Sequence, residues 1–142
     1  MQEPRTIVAV VDDEESIRKA LRRLLRSAGF DVADYASGQE LLDAVATRRP
    51  DCVVLDIRMP HMTGFDVQAR LKSAQVAAPI IFITGLDEPG DRKAAMASGA
   101  FAFLRKPFVN DELLDCIARA VKAYRDATAS VPAAACGVQP PT

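Results

Sequence analysis

Four apolar runs lead to side chains that can do chemistry. Ile7–Val11 precedes Asp12-Asp13, Cys52–Leu55 precedes Asp56, Ile80–Ile83 precedes Thr84, and Phe103-Leu104 is followed, one residue on, by Lys106. In an open parallel sheet, ligands bind outside the carboxyl ends of the strands. If these runs are parallel strands, three carboxylates, a hydroxyl and an ammonium converge on one edge. Crowded carboxylates repel, and one is driven towards its neutral form unless a cation compensates. Oxygen-only ligands at an open edge suit a hard divalent cation such as Mg²⁺, which takes one or two carboxylates and keeps several waters. With a lysine and a hydroxyl beside it, such a set is suited to holding a phosphoryl group. A carboxylate can also accept that group covalently. Asp56 stands alone at its strand end and is the candidate acceptor, which leaves Asp12 and Asp13 for the metal.

The elements that must position these residues alternate along the chain. Strands are expected at Ile7–Val11, Asp31–Tyr35, Asp51–Asp56, Ile80–Thr84 and Ala100–Leu104. Between them lie helical patterns. Ile17, Ala20, Leu21, Leu24, Leu25 and Ala28 form an apolar stripe closed by Gly29. Ser37-Gly38-Gln39-Glu40 has the S-x-x-E capping pattern ahead of Leu41, Leu42 and Val45. A third helix begins at Phe65, and a fourth runs from about Asp91 to Ser98. Asn110 is expected to cap a last helix with Leu113, Leu114, Ile117, Ala118 and Val121 on its buried face. Strand and helix alternating five times imply a parallel sheet with helices on both faces. The domain is expected over residues 1–125. The Ala/Pro-rich segment 126–142 is expected to be a disordered tail or linker.

The bulk numbers exclude several classes. A chain of 142 residues can bury a core without disulfides or structural metal. A net charge of −1 provides no global field for nucleic acid or an anionic membrane. No apolar stretch reaches the roughly 18 residues of a membrane span, and the first residues lack a signal-peptide layout. The expected location is the cytoplasm. Cys52, Cys116 and Cys136 are odd in number and widely spaced, and His61 is the only histidine. That pattern argues against a zinc site or a Cys-His nucleophile. His61 is expected at the surface near the pocket mouth.

The motifs V-D-D-E, L-D-I-R-M-P-H-M-T-G, I-T-G and G-A-F-A-F-L-R-K-P-F occur in this order from about Ile7 to Val121. Together they resemble the receiver domain of two-component response regulators, notably receivers that precede LuxR-type DNA-binding domains. The resemblance implies a flavodoxin-like three-layer fold with strand order 2-1-3-4-5. That order sets strands 1 and 3 side by side at the switch point. It implies Asp56 as phospho-acceptor. Asp12, Asp13, Asp56 and the backbone carbonyl of Arg58 would hold Mg²⁺, or Mn²⁺ in its stead. Thr84 would bind the phosphoryl group, with Gly85 keeping access open and Lys106 pairing with a phosphoryl oxygen. Phe103 would be the switch aromatic, with Phe101 expected to pack on it, and the Lys106-Pro107 bond would be cis.

The resemblance also implies partners. A sensor histidine kinase or phosphotransfer protein would dock on the first helix, where Arg18, Lys19, Arg22, Arg23 and Arg26 form a basic face. An output protein, or an output domain beyond this chain, would receive the signal, and a phosphorylation-linked dimer stays open. No helix-turn-helix follows Val121, so no direct nucleic-acid binding by this chain is expected. Pro89-Gly90 and the sparse apolar content of Arg92-Lys93-Ala94-Ala95 predict a short, mobile fourth helix. Three rivals are weighed. A phosphatase with an aspartate nucleophile wants D-x-D, but Arg58 occupies the second position. A flavodoxin-like cofactor binder wants a phosphate-cradling loop where Asp12-Asp13 repels phosphate. A phosphorylation-independent scaffold would not need the five site residues.

Overall fold

The computed structural model describes residues 5–85 and 88–129. Its elements are β1 (Ile7–Val11), α1 (Glu15–Ser27), β2 (Asp31–Tyr35), α2 (Gly38–Ala44), β3 (Cys52–Asp56), α3 (Gly64–Ser73), β4 (Ile80–Thr84), α4 (Asp91–Ala97), β5 (Ala102–Arg105) and α5 (Asn110–Ala129). The strands form one parallel sheet in the order β2-β1-β3-β4-β5. Because strand side chains alternate, each strand feeds two cores. Ala9, Val11, Val53, Leu55, Ile80, Phe82 and Phe103 pack with Leu41, Val67, Leu71 and Ala95 from α2, α3 and α4. Val8, Val10, Val32, Val54, Ile81, Ile83 and Leu104 pack with Leu21, Leu25, Leu113 and Ile117 from α1 and α5. The result is the expected three-layer α/β sandwich. Among the described residues no helix is long and apolar enough to cross a membrane.

Local chemistry sets the helix ends. The Asp12 Oδ1 accepts the Glu14 N–H at 2.9 Å just ahead of α1. The Ser37 Oγ accepts the Glu40 N–H at 3.2 Å, and Glu40 reaches back to the Ala36 N–H at 3.0 Å. The return bond thus lands one residue before the position a capping box would use. Thr63 and Asp66 form the full reciprocal box at the start of α3, which begins at Gly64 rather than Phe65. Gly90 precedes α4 at φ 90°, a left-handed conformation that favours glycine.

Several expectations from the sequence differ from the structure. β5 begins at Ala102, not Ala100, because the Ala100 N–H is taken by the Ala95 carbonyl at the exit of α4. Phe101 therefore lies outside the strand. It packs in the α1/α5 core while Phe103 packs in the other, so the two rings do not meet. Asn110 does not cap α5. Val109 does, since its carbonyl accepts the Glu112 and Leu113 N–H groups. Ala20 and Ala28 are exposed, which narrows the apolar stripe of α1, and Ala118 is exposed on α5, where Cys116 and Ala120 are buried. Finally, α5 runs on to Ala129, so residues 126–129 are helical. The rest of the expected tail, 130–142, lies outside the described residues.

Gly64 packs directly beneath the end of β3. A Cβ there would sit 2.6 Å from the Asp56 carbonyl oxygen and 3.0 Å from the Ile57 Cα, both backbone atoms that cannot swing aside. The Gly64 N–H also donates to the Ile57 carbonyl at 2.9 Å. Gly64→Ala should therefore destabilise the domain by about 1–3 kcal/mol through overpacking, measured by urea unfolding. Unchanged or higher stability would contradict this packing.

Candidate functional site

The register assembles the site. Val11 lies opposite Leu55, so Asp12 and Asp56 follow as neighbours at the carboxyl ends of β1 and β3. Thr84 ends β4 opposite Arg105, and the Lys106 N–H donates to the Thr84 carbonyl at 2.8 Å. Carboxylate oxygens of Asp12, Asp13 and Asp56 lie within 4.8 Å of one another. Asp12, Asp56 and Thr84 are buried, and Asp13 is exposed. A cleft of about 190 Å³ opens between Asp13, Glu14, Asp56, Arg58, Gly85 and Lys106. Larger hollows on either side of Arg92 gather no comparable set of carboxylates.

Lys106 is the compensating cation. Its Nζ lies 2.7 Å from Asp12 Oδ2, 3.5 Å from Glu14 Oε1 and 3.8 Å from Asp56 Oδ2. Burial favours the neutral amine, but the hydrogen bond to Asp12 and the charges of Asp56, Asp12 and Glu14 outweigh it and hold the ammonium protonated. Asp56 is less well served. Burial, then repulsion from Asp12, pushes its carboxyl up to about 7, against the opposing pull of Lys106 and the Arg58 backbone N–H.

Asp12 is fixed from three sides: its N–H donates to the Tyr35 carbonyl, Oδ1 accepts from Glu14, and its carbonyl accepts from Arg18 Nη1 at 2.9 Å. Arg18 and Arg22 also pair with Asp34 at 3.6 Å and 3.1 Å. Two members of the supposed basic docking face are thus turned into the domain, leaving Lys19, Arg23 and Arg26 exposed. Spacing along a helix could not reveal that Asp34 sits opposite.

A Cβ on Gly85 would meet only Lys106 side-chain carbons, at 3.7 and 3.8 Å, so packing does not demand glycine there. Phe103 is buried, with the Arg92 guanidinium 4.9 Å from its ring centroid. The Lys106-Pro107 peptide is cis. His61 is exposed, at φ 70°. Cys52 and Cys116 are buried free thiols, and burial pushes Cys52 up to about 12, which leaves it unreactive. Sequence reasoning missed the Arg58 side chain. Its Nη2 lies 2.6 Å from both carboxylate oxygens of Asp91.

The model of the response regulator receiver domain matches residues 8–118. The chain belongs to the response regulator receiver family. It is 40% identical over 121 residues to nodulation protein W of Bradyrhizobium diazoefficiens, covering 85% of this chain and 53% of that protein. It is 38% identical over 122 residues to the DNA-binding transcriptional regulator NtrC of Klebsiella pneumoniae, covering 86% of this chain and 26% of that one. A solved receiver from Burkholderia phymatum superposes with a TM-score of 0.75 at 45% identity, over 83% of this chain and 96% of that one. The chain thus spans between a quarter and about half of these two longer relatives. Receivers are phosphorylation-activated switches that bind Mg²⁺ at an acidic pocket, and the donor chemistry of this receiver fits that ion. Three hard carboxylate oxygens gather at an open cleft.

The raised Asp56 carboxyl has a stability consequence for this receiver. Between about pH 4 and 7 the folded protein holds a proton on Asp56 that the unfolded chain has released. Raising the pH through that window therefore lowers stability, by up to about 4 kcal/mol in the absence of metal. In chelator at pH 8, Asp56→Asn should be more stable than wild type by about 1–4 kcal/mol, with a smaller gap near pH 4 and in Mg²⁺. Urea unfolding at the two pH values checks this. A variant no more stable than wild type at pH 8 would refute it.

Proposed function

We propose that this receiver takes a phosphoryl group from a phosphohistidine donor onto Asp56. A carboxylate oxygen of Asp56 forms the new P–O bond, and the donor imidazole departs with the electrons of the broken P–N bond. The observation that carries this reading is the meeting of Asp12, Asp13, Asp56 and Lys106 in one cluster, with Asp13, Asp56 and Lys106 lining a cleft. Asp12, Asp13, Asp56 and the Arg58 backbone carbonyl would hold Mg²⁺ or Mn²⁺. When bound, the ion supplies charge stabilisation for the phosphoryl oxygens. Lys106 then neutralises one of those oxygens, and Thr84 donates its hydroxyl to another. Such charge-assisted hydrogen bonds are the strong ones. Gly85 leaves the approach open, and Phe103 packs according to the position of Thr84. Reversing a 1:99 population takes roughly 5.5 kcal/mol of differential stabilisation, and these contacts are its source.

In this reading the chain is a switch and not a turnover enzyme; it hydrolyses only its own phosphoryl group, in the cytoplasm. A phosphatase reading lacks the second acid, since Arg58 follows Asp56 by two and pairs with Asp91. The donor docks on the exposed Lys19, Arg23 and Arg26 of α1, where charge governs on-rate and partner choice. The longer relatives point to an output domain or output protein as the recipient of the signal. Incubation with acetyl phosphate and Mg²⁺ tests the reading. Wild type should gain one phosphoryl group by intact mass, Asp56→Asn none, and Asp13→Ala at least about tenfold less at limiting Mg²⁺. Equal labelling of Asp56→Asn would remove Asp56 from its role, and unchanged labelling of Asp13→Ala would remove Asp13 from the metal.

A further inference from the structure

Arg58 belongs to two places at once. It lines the cleft with Asp56 and Lys106, and its Nη2 holds α4 through Asp91. The same nitrogen lies 3.3 Å from Glu88 Oε1, and Asp91 Oδ2 also accepts the Glu88 N–H at 2.9 Å. Asp91 is buried and Arg58 half-buried, while Glu88 is exposed, so the clamp is partly shielded from solvent. The neighbouring Nε is buried with no hydrogen-bond partner among the described residues. Nη2 thus meets three carboxylate oxygens while Nε meets none. A buried donor left unmade favours any rearrangement that supplies an acceptor.

α4 depends on this clamp. It is seven residues long, its only buried residues are Asp91 and Ala95, and its N-cap Gly90 has no side chain to contribute. Arg92, the next residue, places its guanidinium over Phe103. Movement of Asp91 is thus passed to the surface that α4 and β5 share.

We propose that Arg58 is a charge-sensing latch, holding α4 through Asp91 in the unphosphorylated protein and turning towards the phosphoryl group when Asp56 carries one. The inference rests on Asp56 being the acceptor. An aspartyl phosphate adds negative charge and three acceptor oxygens to a cleft that Arg58 already lines. The guanidinium then divides between the phosphoryl group and Asp91, and α4 loses its N-terminal tether. Arg58 here is a positioning residue for α4, separate from the metal role of its carbonyl. Two local charges bias one weakly held element, which is the general form of such switches.

Amide hydrogen exchange by mass spectrometry on the full chain tests this, with and without acetyl phosphate and Mg²⁺, and with phosphoryl uptake read from intact mass. In wild type, phosphorylation should speed exchange across α4 by at least about fivefold, the lower end of ordinary coupling between sites, and leave α2 unchanged. Unphosphorylated Asp91→Asn, and independently Arg58→Gln, should already exchange fast in α4 and gain less than about twofold on phosphorylation. Arg58→Lys, which keeps the charge, should retain most of the response. Wild type that takes up the phosphoryl group with α4 unchanged overturns the latch alone. So does wild-type protection of α4 in both unphosphorylated uncoupling variants. A wild type that takes up no phosphoryl group overturns the acceptor reading as well.

Discussion

Neighbouring parallel strands run about 4.8 Å apart, so carboxylates leaving β1 and β3 at the same level cannot escape one another. Asp12 and Asp56 are in that position, with Asp13 completing the cluster. The crowding is tolerable because Lys106 reaches in from the end of β5, 94 residues from Asp12 in sequence, and sits 2.7 Å from it. This one ion pair ties the far edge of the sheet to its centre. It also leaves Asp56 under-compensated, with its carboxyl pushed up to about 7. A cation that engages these oxygens therefore relieves a repulsion already present in the folded protein. The site is primed by repulsion, and Arg18, through the Asp12 carbonyl, keeps the repelling group in place.

Much of this was legible in the chain. β1 and β4 have the bounds their apolar runs suggest, because continuous runs rich in β-branched residues that lead to an acid or Thr are clear signals when both faces are buried. The convergence of Asp12, Asp13, Asp56, Thr84 and Lys106 followed from strand ends alone. What was not legible depends on residues far apart in sequence. Nothing near Arg58 announces Asp91, 33 residues on, and nothing near Arg22 announces Asp34 across α1. β5 began two residues late because a turn hydrogen bond to Ala95 outcompeted strand pairing at Ala100, and that shift separated Phe101 from Phe103. Gly64 carried no signal, since its need for glycine comes from the Asp56 and Ile57 backbone.

The helices are unequal in how the sheet holds them, and α4 is the weakest held by apolar packing. α1 and α5 bury leucine and isoleucine side chains along their length. α4 offers Ala95 alone from its apolar residues and relies on an ion pair and on Arg92 over Phe103. Apolar packing does not respond to a new charge at Asp56, whereas an arginine in the same cleft does. The weak, polar attachment therefore falls where a receiver's response has to be expressed. α4 is held by an ion pair to an arginine that lines the Asp56 cleft.

The proposed switch depends on Asp56 becoming covalently modified. Borohydride reduction of the phosphorylated protein, followed by peptide mapping, tests this most directly, since an acyl phosphate is reduced to the corresponding alcohol. The predicted result is homoserine at position 56, with Asp12 and Asp13 recovered intact. Recovery of unmodified Asp56 from phosphorylated protein, or reduction at Asp12 or Asp13 instead, would contradict it.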